Sequence, residues 1–150
     1  MFSLIITIVS IALVVALVAA TMYHGGDTLT QGRAKADAAA FVSGAQQVSG
    51  AAVMYQSLEG TEAADTGALV TGKYLSSVPS VKGGGLEIGT SGSDRVVAST
   101  VDARDVCESI NKSTGLTDAE AATTAAATTA PAGAFGCYTE GEGYTFQFKF

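Results

Sequence analysis

Residues 1–23 read MFSLIITIVSIALVVALVAATMY, without one charged side chain. As a helix rising about 1.5 Å per residue, this run reaches roughly 35 Å, long enough to cross the hydrocarbon core of a bilayer. Its polar residues are Ser3, Thr7, Ser10 and Thr21. Their hydroxyls can bond back to the helix's own carbonyls, so they are tolerable in lipid. Every Asp, Glu, Lys and Arg of the 150-residue chain lies beyond this run, so the overall hydrophobic fraction of 47% conceals a split. One segment is membrane-grade, and the rest is a small, polar, Gly/Ala/Thr-rich domain.

The flanks of the run narrow its meaning. A secretory signal peptide has a basic n-region and a short apolar core, and neither is present. A single-span anchor is usually oriented by Lys or Arg on its cytoplasmic side. The nearest basic residues, Arg33 and Lys35, follow the run; taken alone they place the polar domain inside. A basic leader ahead of Met1, removed on maturation, reconciles the two signals. The chain then begins with its apolar helix and carries its domain outside.

His24-Gly25-Gly26-Asp27 interrupts the apolar run. Each glycine weakens a helix by about 1 kcal/mol relative to alanine, so a helix break is expected at Gly25 and Gly26. Asp27 or Thr28 would cap a second helix. From Thr28 to about Leu58, Phe41, Ala45, Val48, Ala52 and Tyr55 recur at steps of four and three, one apolar stripe on a helix. Gly32, Gly44, Gly50 and many alanines keep this helix thin, which suits a buried face on a sheet and a second face toward neighbouring subunits. Together the two stretches would make a rod of roughly 80 Å. No small domain buries such a rod, so lipid or copies of itself must cover the projecting half. The expected organisation is 1–26 apolar helix, 27–58 amphipathic helix and 59–150 globular head.

Within the head, Glu59–Gly72 reads as a polar loop and Gly83-Gly84-Gly85 as a turn. Leu86–Ile88 and Arg95–Ser99 read as short strands. Asp102 is placed to cap a short helix containing Val106, Cys107 and Ile110 and ended by Gly115. Thr117-Asp118-Ala119-Glu120 has capping-box spacing, and the Ala/Thr run after it reads as a short exposed helix or a loop. The C-terminus is the clearest strand signal. Phe135–Thr139, a turn at Glu140–Gly143, and then strict alternation place Tyr144, Phe146, Phe148 and Phe150 on one face, with Thr145, Gln147 and Lys149 on the other. The aromatic face should pack on the long helix. Cys107 and Cys137 are either two buried thiols or, in an exported domain, one bridge. A bridge closing about 30 residues would contribute roughly 3–4 kcal/mol.

The formal charge is −6 and the eight basic residues are scattered, which argues against a nucleic-acid ligand, since a phosphate-backbone binder needs a concentrated positive face. The lone histidine, His24, sits beside the apolar run. No glycine-rich phosphate loop follows a strand. Asp102, Asp105 and Glu108 fit helix capping and solvation better than metal binding. No catalytic residue, cofactor or metal is expected. Thr123, Thr124, Thr128 and Thr129 near Pro131 suit O-glycosylation by composition.

In these parts the chain resembles the type IV pilin family, in its type IVb or conjugative thin-pilus style. The likeness rests on an uncharged N-terminal helix with an amphipathic continuation, a Leu69…Tyr74-Leu75-Ser76-Ser77-Val78-Pro79 connector, a small antiparallel sheet and a C-terminal cysteine pair. It implies an α+β fold, a long helix packed on an antiparallel sheet. It implies a structural subunit, not an enzyme, anchored in the inner membrane before the pilus assembly machinery builds it into an extracellular helical filament of identical copies at the bacterial cell surface. Met1 would be N-methylated. Met1, Phe2, Leu4, Ile5, Ile8, Ile11, Val15 and Val18 would form the filament core. Pilins usually carry a glutamate at the fifth mature position, pairing with a neighbour's N-terminal amine; Ile5 stands there if Met1 is the first mature residue. Ser3 and Thr7 are then the hydroxyls available to that amine. The alternatives are a pseudopilin of a type II secretion system, and a single-span membrane protein with a small extracytoplasmic binding domain.

Overall fold

A computed structural model describes residues 2–82 and 84–150, and among these all side chains except those of residues 24–27. The chain is α+β: a long N-terminal helix and small antiparallel sheets. It divides into two compact units, Met1–Arg33 and Ala34–Phe150.

The first element, α1, spans Phe2–Glu59 as one helix of 58 residues. This corrects the expectation of two helices with a fresh N-cap at Asp27 or Thr28. Once a helix is nucleated, each added residue gains a hydrogen bond. A penalty of about 1 kcal/mol per glycine is small against the cost of starting a second helix. The break expected at Gly25 and Gly26 is therefore not present, since α1 runs through both positions, and Gly83 of the expected glycine turn lies outside the described residues.

In the unit Ala34–Phe150, the helical stripe meets the sheet as its period predicts. Phe41, Ala45, Val48 and Ala52 are buried, and Tyr55 is half-buried against Tyr74, ring centroids 5.3 Å apart. Close approach is set at Gly44, where an added Cβ would lie 2.5 Å from Leu86 Cδ1. Glycine here lets the fully buried Leu86 press against the helix backbone.

The main sheet has four antiparallel strands in the order β3 (Glu87–Ser91), β4 (Asp94–Val101), β6 (Gly143–Lys149) and β5 (Phe135–Glu140). A two-stranded ladder, β1 (Ser80–Val81) with β2 (Gly84–Gly85), precedes it. The C-terminal alternation places Phe146 in the core, its ring 5.6 Å from that of Phe41. Tyr144, Phe148 and Phe150 pack around the same cluster. The opposite face departs from expectation, because Gln147 is only 2% exposed. Its cross-strand neighbour is Gly136, and an added Cβ at Gly136 would lie 2.5 Å from Pro131 Cγ. The segment before β5 thus folds back onto a face that alternation alone leaves to solvent.

Three short helices complete the head. The expected loop after Glu59 contains α2 (Thr66–Thr71), where Asp65 caps by accepting from the Ala68 N–H at 2.7 Å and Leu69 is fully buried. Helix α3 (Arg104–Ser113) begins at Ala103, not Asp102, and has no side-chain cap. Asp105 instead accepts from the Val106 N–H at 3.0 Å. Helix α4 (Asp118–Ala126) carries the capping box of Thr117 and Glu120, and buries Ala121 and Ala125. Cys107 of α3 is bonded to Cys137 of β5 with Cα atoms 5.2 Å apart, and no free cysteine remains.

Candidate assembly surface

Among its described residues, the unit Met1–Arg33 buries no side chain. Every described side chain from Phe2 to Tyr23 is exposed, from 85% at Phe2 to 48% at Val18 among the large apolar ones. Phe2, Leu4, Ile5, Ile8, Ile11, Val15 and Val18, the residues expected in a filament core, are all solvent-facing. Met1 lies outside the described residues. Among the described residues, α1 is the one helix long and apolar enough to cross a membrane. Fully burying each of its Leu, Ile, Val or Phe side chains is worth about 1.5–3 kcal/mol, so leaving them all in water is untenable.

The polar residues of the run are arranged for a dry environment. Thr7 donates to Leu4 O at 2.8 Å, Ser10 to Ile6 O at 2.8 Å and Thr21 to Val18 O at 2.9 Å. Each hydroxyl proton is spent within the helix, as a lipid-facing or protein-facing surface requires. The Thr7 oxygen keeps lone pairs that can accept from an external donor. Ser3 is exposed on the same segment.

The head contrasts in charge management. Residues 34–150 hold thirteen Asp and Glu against seven Lys and Arg. Five of the seven cations are ion-paired inside the head: Lys82 with Asp37, Arg95 with Glu62, Arg104 with Glu108, Lys112 with Asp118 and Lys149 with Asp94. Asp37 beside Lys82 raises the lysine's pKa by accepting its hydrogen bond. Arg95 also donates to Ala63 O and lies over the Phe150 ring, tying the loop before α2 to the C-terminus. Lys35 and Lys73 have no such partner.

Each edge strand of the main sheet is capped at one point by a side chain the sequence did not flag. At β3, the Thr66 hydroxyl donates to Leu86 O at 2.9 Å and accepts from the Ile88 N–H at 3.0 Å. At β5, the buried Asn111 amide accepts from the Cys137 N–H at 2.8 Å and donates to Cys137 O at 2.9 Å. Such caps blunt a strand's tendency to pair with another chain.

Among the described residues, no group of three or more His, Cys, Asp or Glu could hold a metal. Comparison with protein-family models, with curated proteins and with solved structures finds no match.

Proposed function

We propose that this protein is a structural subunit of a bacterial type IV pilus-like filament that polymerises through residues 1–23. The observation that carries the reading is the wholly exposed, uncharged helix from Phe2 to Tyr23, attached to a head that has its own core. In the inner membrane, lipid covers the helix. In the filament, sister helices cover it. Moving between the two gains little hydrophobic energy, because lipid tails are as apolar as leucine. Close packing of side chains must supply the preference, with the assembly machinery extracting the subunit. The head's disulfide suits an oxidising, extracytoplasmic location.

The pilin likeness supports this reading through its parts: apolar helix, amphipathic continuation on an antiparallel sheet, and a cysteine staple near the C-terminus. Where pilins place a glutamate, this chain has Ile5, so a neighbour's N-terminal amine would meet the hydroxyl oxygens of Ser3 or Thr7. The test is electron microscopy of material sheared from cells that express the chain with a pilus assembly system, with mass spectrometry of the product. Filaments containing this chain as their main component are expected. A chain found only in the inner membrane fraction would favour the single-span anchor, and one confined to a short periplasmic assembly the pseudopilin.

A further inference from the structure

A cavity of about 850 Å³ lies in the head between the C-terminal end of α3, the helix α4 and residues 129–135. Small-ligand sites usually measure roughly 300–1,000 Å³. The walls of this one are fixed to the sheet. The Cys107–Cys137 bridge and the Asn111 bonds to Cys137 hold α3 against β5. Thr139 of β5 holds the end of α4, its hydroxyl donating to Ala125 O at 2.7 Å and its N–H to Ala127 O at 2.8 Å. On the third wall Phe135 stacks on Phe148, ring centroids 6.1 Å apart. A ligand would therefore meet a cavity already formed.

Residues 34–150 hold thirteen Asp and Glu and seven Lys and Arg, yet among the described residues none that lines this cavity is charged. Its polar lining is largely hydroxyl. Ser113 donates to Ile110 O at 2.6 Å, Thr114 to Asn111 O at 2.7 Å, and Thr123 and Thr124 to Ala119 O and Glu120 O, both at 2.8 Å. With their protons committed to the helices, these four oxygens offer lone pairs. The Thr129 hydroxyl makes no bond within the chain and can donate. Pro131 and Phe135 add apolar surface.

This lining discriminates between ligands. An anion would find no cation and a cation no carboxylate. A wholly apolar molecule would strip water from the hydroxyl oxygens and leave them unpaired. A molecule with several donating hydroxyls and an apolar C–H face satisfies both kinds of surface. We propose that the cavity binds a neutral pyranose, its hydroxyls donating to the oxygens on the two helix walls and its C–H face lying against Phe135 and Pro131. The site belongs wholly to the head, so it does not depend on whether the chain polymerises.

The test is saturation-transfer NMR on the full chain in lipid nanodiscs, free of glycoside detergents. The probes are the methyl pyranosides of glucose, galactose, mannose and N-acetylgalactosamine. At least one should receive saturation, most strongly at the C–H groups of one ring face, while glucuronic acid should receive none. Thr123→Val combined with Thr124→Val should weaken binding about tenfold, and Phe135→Leu should also weaken it. Thr90→Val, on β3 and outside the cavity, should leave it unchanged. If the paired variant lowers the thermal transition, Thr129→Val replaces it and should weaken binding about threefold. No saturation of any pyranoside would overturn the proposal. So would transfer that stays at wild-type strength in these cavity variants, or a blocked neutral dipeptide that displaces the pyranoside at equal concentration. Filament yield is read separately, so failure here leaves the assembly reading standing.

Discussion

Phe146 and Phe41 meet in the interior of the head, while Phe2 stands 85% exposed on the helix. The same side chain is covered in one unit and bare in the other. Residues 34–150 hold a packed core, a disulfide, side-chain caps on α2 and α4, a side-chain bond at each sheet edge and five internal ion pairs. Residues 2–23 form regular helix whose side chains are all exposed. The head's stability is thus set within residues 34–150, and under the filament reading association falls to the helix. Damage to the head should unfold it; damage to the helix should leave the head folded and prevent assembly.

The comparison can be broken first at Phe146. Phe146→Ala should cost the head about 3–5 kcal/mol, by loss of burial and by the cavity left beside Phe41, read as a lower denaturant midpoint. An equal effect from Phe2→Ala on head stability would erase the distinction. Next comes the Cys107–Cys137 staple, which closes a loop with a sequence separation of 30. Reduction, or paired serine substitutions, should cost roughly 3–4 kcal/mol, visible as an earlier thermal transition.

Asn111→Ala is a finer probe. It leaves the Cys137 N–H and C=O without their partner at the sheet edge, a loss of about 2 kcal/mol. Hydrogen exchange at the Cys137 amide should rise above that of neighbouring β5 amides. The smallest effect is at Thr117. The Thr117 side chain, and then its backbone N–H, hydrogen-bond to the Glu120 carboxylate and hold its pKa below the ordinary 4.5. A depressed carboxylate stabilises the fold above its unfolded-state pKa, and that contribution fades as pH falls through the folded value. Thr117→Ala should cost about 1 kcal/mol near neutral pH, and the gap from wild type should narrow on acidification below 4.5.

What was legible in the sequence was local. The stripe through Phe41, Val48 and Ala52, the C-terminal alternation and the Thr117–Glu120 box each depend on residues within a turn or two of one another. The structure places all of them as their spacing predicts. What escaped depended on remote neighbours. Thr66 and Asn111 look like ordinary loop and helix residues until strands 20 and 26 positions away present their edges. Gln147 reads as a solvent-facing residue until Pro131 is folded over Gly136. Asp65 at the start of α2 was a readable cap, masked by the polarity around it. The apolar helix was visible at once, since lack of charge over 23 residues needs no tertiary context. Its covering surface was not, because under the filament reading that surface belongs to another copy.

In the filament reading the apolar helix packs against copies of itself. A photo-crosslinking amino acid substituted at Ile11 tests it most directly, by illumination of assembled material and mass spectrometry of the adducts. The account predicts covalent adducts between Ile11 positions and residues 2–23 of other copies in filaments, with lipid adducts in the membrane pool. Lipid adducts alone, from a chain that stays monomeric under every assembly condition, would contradict it.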